Sequence, residues 1–430
     1  MSEMKDVDVT IVGGGMITND LILPSVYHLQ RTGAVRSISV CSLNTPPLAA
    51  LAESSELRAA FPGQSFRPYP ELAEDPNKTF PDLYKEVLAA MAPRQVVIVA
   101  VPDQLHHATV MTALHSGQHV LCVKPLVLKY QQAREIEQLA YEKGLFVGVE
   151  YHKRFDRRAL LARHQYRLGH FGQFVIGEAK MIEPYYYRHS NFQNWFTAQN
   201  TDPFVYVGCH YVDLVYFITG LRPAEVSVSG VRGRFPNGSE AYMWANGRVV
   251  YENGAVLSVT DGLGYPDAGA GSNDQGLVMY CEGHDASGLI QHDDQYRGVR
   301  HCYLEPIGPG GSHYRYVSPD FFRLVPWTGG PGAMPVGYGP DSVAATITAI
   351  GRIEGAVAGM DPGASLVRRQ ELIREVDEQG IIATPANSSV NELVIEAARL
   401  SILGDGAWVK ITIGANPHVE FRANAAHELT

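Results

Sequence analysis

Residues 7–18 read VDVTIVGGGMIT, an apolar run followed at once by three glycines. Four of the six residues at 7–12 are valine or isoleucine, so the run predicts a strand, and together with the apolar runs that follow it predicts a parallel sheet that is buried on both faces. The glycines permit a tight turn, and the apolar residues at 21, 23, 26 and 29 have helical spacing. A strand, a glycine turn and a helix in this order are typical of the start of a doubly wound α/β domain.

The same alternation continues through the first 150 residues. Apolar runs at 37–41, 96–101, 119–123 and 145–149 predict further strands, and the segments 83–91, 106–116 and 131–143 have helical periodicity. Strands separated by helices predict a parallel sheet covered on both faces. The fold class is therefore α/β, with an N-terminal Rossmann domain over residues 1–150.

Length and composition limit the rest of the chain. A single core stops growing beyond roughly 250–300 residues, so 430 residues indicate a second domain, placed at 151–430. No apolar run approaches the ~20 residues of a membrane span, and the N-terminus has no signal-peptide pattern, so we expect a cytoplasmic protein. The net charge of −10 without a basic cluster speaks against nucleic acid. A small-molecule partner is the better expectation.

The cysteines and histidines give no sign of a metal centre. The five cysteines are far apart and form no CxxC pair, so they predict reduced structural thiols. His115 and His119 flank Gly117 at a predicted helix end, which is a poor arrangement for shared ligation. We expect no metal.

The glycine turn is a candidate dinucleotide site, because backbone N–H groups at a helix N-terminus can bind a pyrophosphate. Gly13, Gly15, Met16 and Ile17 would line it, although the third position of the GxGxxG pattern is Thr18. The second strand ends near Ser42, where NAD enzymes place an acid on the ribose. Neither an acid nor a neighbouring arginine stands there, so the choice between NAD and NADP stays open.

Several motifs in register extend from residue 94 to residue 220. They are Val101-Pro102 with His106, the run ALHSGQHV at 113–120, Lys124-Pro125, Tyr151-His152-Lys153-Arg154-Phe155, and His210-x-x-Asp213. Together these motifs closely resemble the glucose–fructose oxidoreductase/inositol dehydrogenase/MocA (Gfo/Idh/MocA) family.

The resemblance implies an architecture and a function. It implies a C-terminal α/β domain with a large, mostly antiparallel sheet, NAD or NADP between the domains, and a homo-oligomer, either a dimer or a tetramer. It also implies an oxidoreductase of carbohydrate metabolism acting on a sugar or polyol, with Val101, Pro102, His106 and Lys124 near the cofactor. The later sequence agrees, with strands predicted at 224–231, 249–251, 255–260 and 277–281 and helices at 342–359, 366–378 and 391–403.

Two local signals refine the second domain. Asn-Gly pairs at 237–238, 246–247 and 253–254 predict hairpin turns. Residues 389–392 read SVNE, a capping-box pattern at the start of the last helix.

Hydride transfer from a secondary alcohol requires a group that takes up the hydroxyl proton. Lys124 directly follows a predicted strand and could polarise or deprotonate the hydroxyl. His210 could relay the proton, and Asp213 lies on the same helical face to orient it. The predicted substrate contacts are Tyr151, His152, Arg154 and Trp195, whereas Lys153 is expected on a solvated face.

The sequence departs from the family pattern at three places. Tyr206 stands where the family often has an aspartate, Thr201-Asp202 replaces a Gly-Gly pair, and Val123 replaces a glutamate before Lys-Pro. Tyr206 could donate a hydrogen bond or relay a proton, and Asp202 is an alternative carboxylate. These departures keep two other functions open: an NAD-dependent glycosidase or lyase that oxidises its sugar transiently, and a non-catalytic ligand-binding protein.

Overall fold

The computed structural model describes residues 4–269, 273–283, 287–293, 302–308, 311–316 and 320–423, and between 302 and 316 only the backbone. These residues form two structural units that interleave along the chain. The first combines residues 1–127, 131–157 and 319–388, and the second combines 128–130, 158–318 and 389–430. A functional boundary at residue 150 stays a prediction.

Six parallel strands build the first unit. They are β1 (Val7–Val12), β2 (Val35–Cys41), β3 (Arg67–Tyr69), β4 (Val96–Val99), β5 (His119–Val123) and β6 (Val147–Glu150), in the spatial order β3-β2-β1-β4-β5-β6. The helices of its N-terminal part are α1 (Leu23–Arg31), α2 (Thr45–Glu53), α3 (Ser55–Ala60), α4 (Leu83–Ala90), α5 (His106–His115) and α6 (Tyr130–Lys143), the last starting in the short 128–130 segment assigned to the second unit. The order of the strands reverses between β1 and β4, which makes this sheet the predicted Rossmann fold.

Three later helices complete the first unit. They are α9 (Tyr338–Ala356), α10 (Pro362–Gln379) and α11 (Pro385–Ser388), and a small hairpin of β15 (Arg323–Pro326) and β16 (Ala333–Val336) precedes them. Val343, Ile347 and Ile350 of α9 are buried in the same hydrophobic core as strands β1 and β4. The backbone of Val149 also donates to the carbonyl of Ala383 at 2.7 Å. These long-range contacts explain why residues distant in sequence belong to this unit.

The second unit is built on an eight-stranded sheet of order β12-β11-β7-β10-β9-β8-β17-β18. Its strands are β7 (Gln173–Pro184), β8 (Pro223–Arg234), β9 (Glu240–Tyr251), β10 (Val256–Tyr265), β11 (Asp274–Glu282), β12 (Ser287–Asp293), β17 (Val409–Thr412) and β18 (His418–Phe421), and a separate hairpin pairs β13 (Cys302–Gly308) with β14 (Gly311–Tyr316). Among the described strands of this sheet, only β7 and β10 are parallel neighbours. The helices are α7 (Arg157–Arg167), α8 (Cys209–Thr219) and α12 (Val390–Leu403). The expectation of a mostly antiparallel sheet is thus confirmed.

Two local predictions were wrong. The Asn-Gly pairs at 237–238 and 253–254 do lie in turns, but Asn246-Gly247 lies inside β9. A Cβ atom on Gly247 would come within 2.7 Å of the Phe204 ring, so this glycine makes room for an aromatic side chain instead of turning the chain. The capping box also fails to form. Ser389 is helical and its side chain makes no cap hydrogen bond, because α11 leads almost directly into α12.

Within the described ranges, no helix is both long enough and apolar enough to cross a bilayer.

Candidate functional site

The glycine turn after β1 has a backbone that only glycine adopts easily. Gly13 has a φ of +119°, and a Cβ atom there would lie 2.6 Å from the carbonyl carbon of Ala100. Its N–H donates to the carbonyl of Cys41 at 2.7 Å, and its carbonyl accepts from the Thr18 hydroxyl at 2.6 Å. Thr18 therefore fixes the turn from the position where the usual motif has a third glycine.

The rest of the turn opens onto a groove. A Cβ atom on Gly15 would meet nothing within 4 Å, and one on Gly14 would lie 3.4 Å from the Ser42 hydroxyl. Met16 and Ile17 are half-buried and begin the helical segment that continues into α1. The groove is lined by this turn and by residues of α2 and α3: Gly14, Gly15, Met16, Asn19, Pro47, Ala50, Leu51, Glu53, Ser54, Ser55 and Glu56. Residues 13–15, called the glycine cradle below, stand at the N-terminus of this helical segment. Such a site fits the pyrophosphate of a dinucleotide.

Cys41 ends β2 beside this turn and is buried. Burial raises the pKa of its thiol to about 12, so the thiol stays protonated at neutral pH. Cys41 therefore offers no nucleophile beside the glycine turn.

His106 connects the segments that follow β4 and β5. Its ring is fully buried, with Nδ1 2.7 Å from the carbonyl oxygen of Pro125 and Nε2 2.8 Å from that of Val101. Both ring nitrogens thus face backbone carbonyls inside the fold. In this position His106 holds the backbone around Val101-Pro102 against the backbone around Lys124-Pro125, rather than presenting its ring to a ligand.

Lys124 is the first residue after β5 and is half-buried. Its peptide bond to Pro125 is cis. The preceding residue, Val123, pairs with Glu150 at the end of β6. The carboxyl ends of β1, β4, β5 and β6 thus carry the glycine turn, Val101-Pro102, Lys124 and the segment 151–154 at one edge of one sheet. This is the edge at which doubly wound sheets bind their ligands.

The segment after β6 is held by groups that the sequence analysis did not single out. Nδ1 of His152 lies 2.8 Å from the carboxylate of buried Glu150. The His152 ring packs against Phe321, at 4.7 Å between ring centroids, and against Tyr338, at 5.4 Å with an interplanar angle of 26°. Of these three partners, only Glu150 could have been noticed in the sequence, as an acidic residue at the end of a strand. Phe321 and Tyr338 could not, because they are distant from His152 in the chain.

Lys153 and Arg154 are each 1% exposed, so the expectation of a solvated face at Lys153 was wrong. Nζ of Lys153 donates to the hydroxyl of Tyr338 at 3.3 Å. Arg154 donates to Oδ1 of Asn387 at 3.1 Å, and its guanidinium lies 5.9 Å from the ring centre of Tyr151. Two buried cations therefore stand at the same sheet edge as Lys124.

In the second unit, Tyr206 belongs to an aromatic cluster. It lies in the π-helical segment Phe204–Gly208, which leads into α8, and its ring contacts Phe192, Trp195 and Phe196 at centroid distances of 5.2, 5.8 and 5.7 Å. The structure thus brings together Tyr206 and Trp195, two residues predicted from separate motifs. Single-turn π segments of this kind occur frequently at functional sites.

His210 and Asp213 occupy the first turns of α8 and are 3% and 1% exposed. Their spacing of three residues places them on one face of the helix. Asp213 accepts a hydrogen bond of 2.7 Å from the side-chain amide of Asn391 on α12. Nothing in the sequence marks Asn391 as part of this site, because the contact joins helices 178 residues apart.

The alternative carboxylate, Asp202, is engaged in structural contacts. It is fully buried, its Oδ2 accepts from Arg399 at 2.7 Å, and its Oδ1 accepts from the backbone N–H of Val205 at 3.0 Å. It therefore caps the helical segment that follows it. Asp202 is therefore engaged by Arg399 and Val205, and Tyr206 lies one helical turn before His210.

Asp261 is a further buried carboxylate that the sequence analysis missed. It lies on β10, is fully buried, and packs against the backbone of Gly208, where a Cβ atom would lie 3.2 Å from its Cγ. Asp261 thus requires a glycine two residues before His210.

Comparison with known proteins agrees with this arrangement. A family model described as "Oxidoreductase family, NAD-binding Rossmann fold" matches residues 7–151, and the "GFO/IDH/MocA C-terminal domain" model matches residues 161–281. Together they match more than half of the chain. The chain belongs to the Gfo/Idh/MocA oxidoreductase family. Its N-terminal domain accordingly has the NAD-binding Rossmann fold, as the motifs between residues 7 and 156 indicated.

Individual relatives extend the comparison. D-glucoside 3-dehydrogenase of Escherichia coli is 25% identical over 226 residues, which is 51% of this chain and 56% of that protein. The crystal structure of a myo-inositol 2-dehydrogenase from Lactobacillus plantarum matches with a TM-score of 0.59 at 15% identity and covers 95% of this chain and 100% of its own. An inositol dehydrogenase homologue from Azotobacter vinelandii, in complex with NADH and myo-inositol, matches with a TM-score of 0.59 at 20% identity over 94% of this chain and 98% of its own.

At such low identity the structural likeness concerns the fold. The chain spans between 23% and 56% of the length of three curated relatives.

Proposed function

We propose that this protein is an NAD-dependent oxidoreductase that transfers a hydride between nicotinamide and a secondary hydroxyl or ketone of a sugar, polyol or related cyclic hydroxy compound. One observation carries the proposal: the glycine cradle and Lys124 stand at the same carboxyl edge of one parallel sheet. The names of the relatives support the substrate class, since they include dehydrogenases of a glucoside and of inositols.

The groove at the glycine turn favours NAD over NADP. Among the described residues that line it, two are carboxylates, Glu53 and Glu56, and none is lysine or arginine. A 2′-phosphate would bring about two negative charges towards these two carboxylates, and the described lining of the groove offers no lysine or arginine to pair with the phosphate. Ser42, beside Gly14, would instead offer a hydroxyl to the ribose. We expect NADH to bind at least tenfold more tightly than NADPH.

The chain's own residues would divide the proton chemistry between them. When bound, NAD supplies the hydride-accepting centre. Lys124 is proposed to polarise or deprotonate the substrate hydroxyl, and His210 to relay its proton. Asp213 orients His210 from the same helix face, and Tyr206 offers a phenolic hydroxyl next to that turn. Tyr151, His152, Arg154 and Trp195 are proposed substrate contacts.

The proposal is tested with a panel of sugars and polyols, with NADH formation recorded for each. Lys124→Ala should lower kcat by about 10²–10⁴-fold, the usual contribution of a general base, while NADH binding persists. Lys129→Ala is the matched control. Lys129 is exposed and lies five residues after Lys124, so this variant should retain full turnover. Equal activity of the Lys124 variant and wild type would refute the role, and release of aglycone without NADH accumulation would favour the glycosidase.

We also propose that the protein forms a homo-oligomer, a dimer or tetramer, through the open face of the eight-stranded sheet. Leu289, Tyr280 and Ile176 are each 54% exposed and are cross-strand neighbours. Half-buried Val256 and Val250 continue the row over the next two strands. An apolar row across five strands is more than isolated surface residues provide.

Tyr280→Glu should therefore reduce the mass measured by light scattering to that of a monomer. Leu161→Glu replaces a similarly exposed residue on α7 and should leave the mass unchanged. A wild-type monomer at micromolar concentration would refute the interface. We place the protein in the cytoplasm, a proposal supported by the sequence spacing of its five cysteines, which are far apart and form no CxxC pair.

A further inference from the structure

Asn391 lies in the first turn of α12, is 1% exposed, and donates from Nδ2 to Oδ1 of Asp213 at 2.7 Å. The direction of this amide follows from chemistry. Oδ1 of Asp213 is the acceptor of this bond and only the NH2 group of an amide can donate, so the amide turns its NH2 group towards Asp213. Its carbonyl, Oδ1, therefore points the other way.

That carbonyl is buried and has no hydrogen-bond partner within the part of the chain that the structure describes. A buried acceptor without a donor destabilises a fold. The carbonyl of Asn391 thus lowers the stability of the fold, while the NH2 group of the same side chain restrains the Asp213 carboxylate. This imbalance points to a functional constraint on the asparagine.

A second contact of α12 supports this view. Arg399, eight residues further along α12, binds Asp202 through a 2.7 Å ion pair. Asp202 and Asp213 stand before and after the π-helical segment Phe204–Gly208. A π-helical turn is a rare and locally unfavourable geometry. The helix α12 therefore contacts residues 202–213, which include Tyr206 and His210, at both ends.

We propose that Asn391 is a positioning residue for the catalytic pair His210–Asp213. It fixes the rotation of the Asp213 carboxylate and, through it, the orientation of His210. The helix that carries it begins at residue 390, well beyond residue 281, where the second family model ends. The proposal rests on the proposed function, because it assigns Asn391 to the same site.

The test is a double-mutant cycle on kcat, with Asn391→Leu and Asp213→Asn. Asn391→Leu keeps the volume and removes the donor, and should lower kcat about 10- to 100-fold, the value of a hydrogen bond to a charged group, with KM changed less than threefold. In the Asp213→Asn background the same substitution should change kcat less than twofold, because its effect passes through Asp213. Asn391→Asp keeps the shape but not the donor, and should lose as much activity as Asn391→Leu.

Asn246→Leu, an exposed asparagine on β9, is the matched control and should be indistinguishable from wild type. Independent, additive effects in the cycle would overturn the proposal, as would an active Asn391→Asp variant. A crystal structure of Asn391→Leu gives a readout that needs no turnover: the Asp213 carboxylate should rotate away from its wild-type orientation, and an unmoved carboxylate would refute the positioning role. A wild-type protein without turnover would instead refute the proposed function, and the crystal structure would still decide the role of Asn391.

Discussion

Gly13→Ala should both destabilise the first unit and abolish dinucleotide binding. The methyl group would lie 2.6 Å from the Ala100 carbonyl carbon, where β1 meets β4, and the backbone φ of +119° is strained for any residue with a Cβ atom. Backbone strain of this kind costs about 1–3 kcal/mol. Overpacking against the next strand adds about 1–3 kcal/mol. The free energy of unfolding should therefore fall by about 2–6 kcal/mol.

The assay is equilibrium unfolding in urea, together with NADH binding recorded by fluorescence. Gly33→Ala is the matched control, because Gly33 has a φ of +86° in the turn after α1 and open space around its Cβ position. It carries the strain without the clash and should lose only about 1–2 kcal/mol and bind NADH normally. If Gly13→Ala and Gly33→Ala are equally stable, or if Gly13→Ala binds NADH like wild type, the reasoning from the turn geometry is wrong.

Three further predictions concern Gly15, the Asp202–Arg399 ion pair and His119. Gly15→Ala adds a methyl group in open space at a normal φ, so it should leave the unfolding midpoint unchanged but weaken NADH binding at least tenfold; unchanged binding would remove Gly15 from the cradle. Asp202→Asn leaves the guanidinium of Arg399 buried without its counter-ion and should lower the free energy of unfolding by about 3–5 kcal/mol in thermal or urea denaturation, whereas a loss below ~1 kcal/mol would contradict the stabilising role of the ion pair. His119→Gln should flatten the loss of stability between pH 7 and pH 5, and a slope equal to that of wild type would refute this.

The pH prediction follows from a buried network at the other end of β5. Nδ1 of His119 accepts from the backbone of Phe146 at 2.9 Å, and Nε2 lies 3.1 Å from the Glu354 carboxylate, so the neutral ring satisfies both contacts. Burial lowers the pKa of His119 below 6.5. The charges of Arg94 and Arg369 also lower it, whereas Glu354 raises it, and the net shift is downward. Below pH 6.5 the unfolded chain therefore takes up a proton that the folded chain does not, and stability falls. Glutamine can make both hydrogen bonds without titrating.

Glu354 extends this acid sensitivity to lower pH. Burial raises the pKa of its carboxyl group, but hydrogen bonds from His119 and Arg369 outweigh burial and bring the pKa to about 2. The stability that Glu354 contributes is complete above pH ~4.5 and is lost as the pH falls towards 2. Denaturation curves of the His119→Gln variant should therefore still show this second loss.

The sequence was sufficient to predict the Rossmann sheet, because each strand is a local apolar run and each helix has its own period. Strands β1 and β5 were predicted with the observed boundaries, and the glycine turn lies where the motif indicated. The sequence motifs also placed Lys124 at the end of a strand. Such features depend on neighbours within about twenty residues, which is the range that periodicity and turn chemistry report.

The supporting groups of the site could not be predicted, because each depends on a contact between distant parts of the chain. The ring of His152 packs on Tyr338, Asp213 binds Asn391, and Asp202 binds Arg399. The Asn246-Gly247 pair misled for the same reason, since the Phe204 ring, not a turn, requires that glycine. Local patterns contain no record of such partners.

The central claim is that a dinucleotide binds at the glycine cradle and accepts a hydride from a sugar or polyol. The most direct measurement is made on the purified protein: any bound dinucleotide is released and identified, the emptied protein is titrated with NADH and NADPH, and NAD is then supplied with the substrate panel. We predict binding of NADH in preference to NADPH and NADH formation with at least one sugar or polyol, lost in Lys124→Ala. Binding of neither dinucleotide would contradict the account and favour a non-catalytic ligand-binding protein.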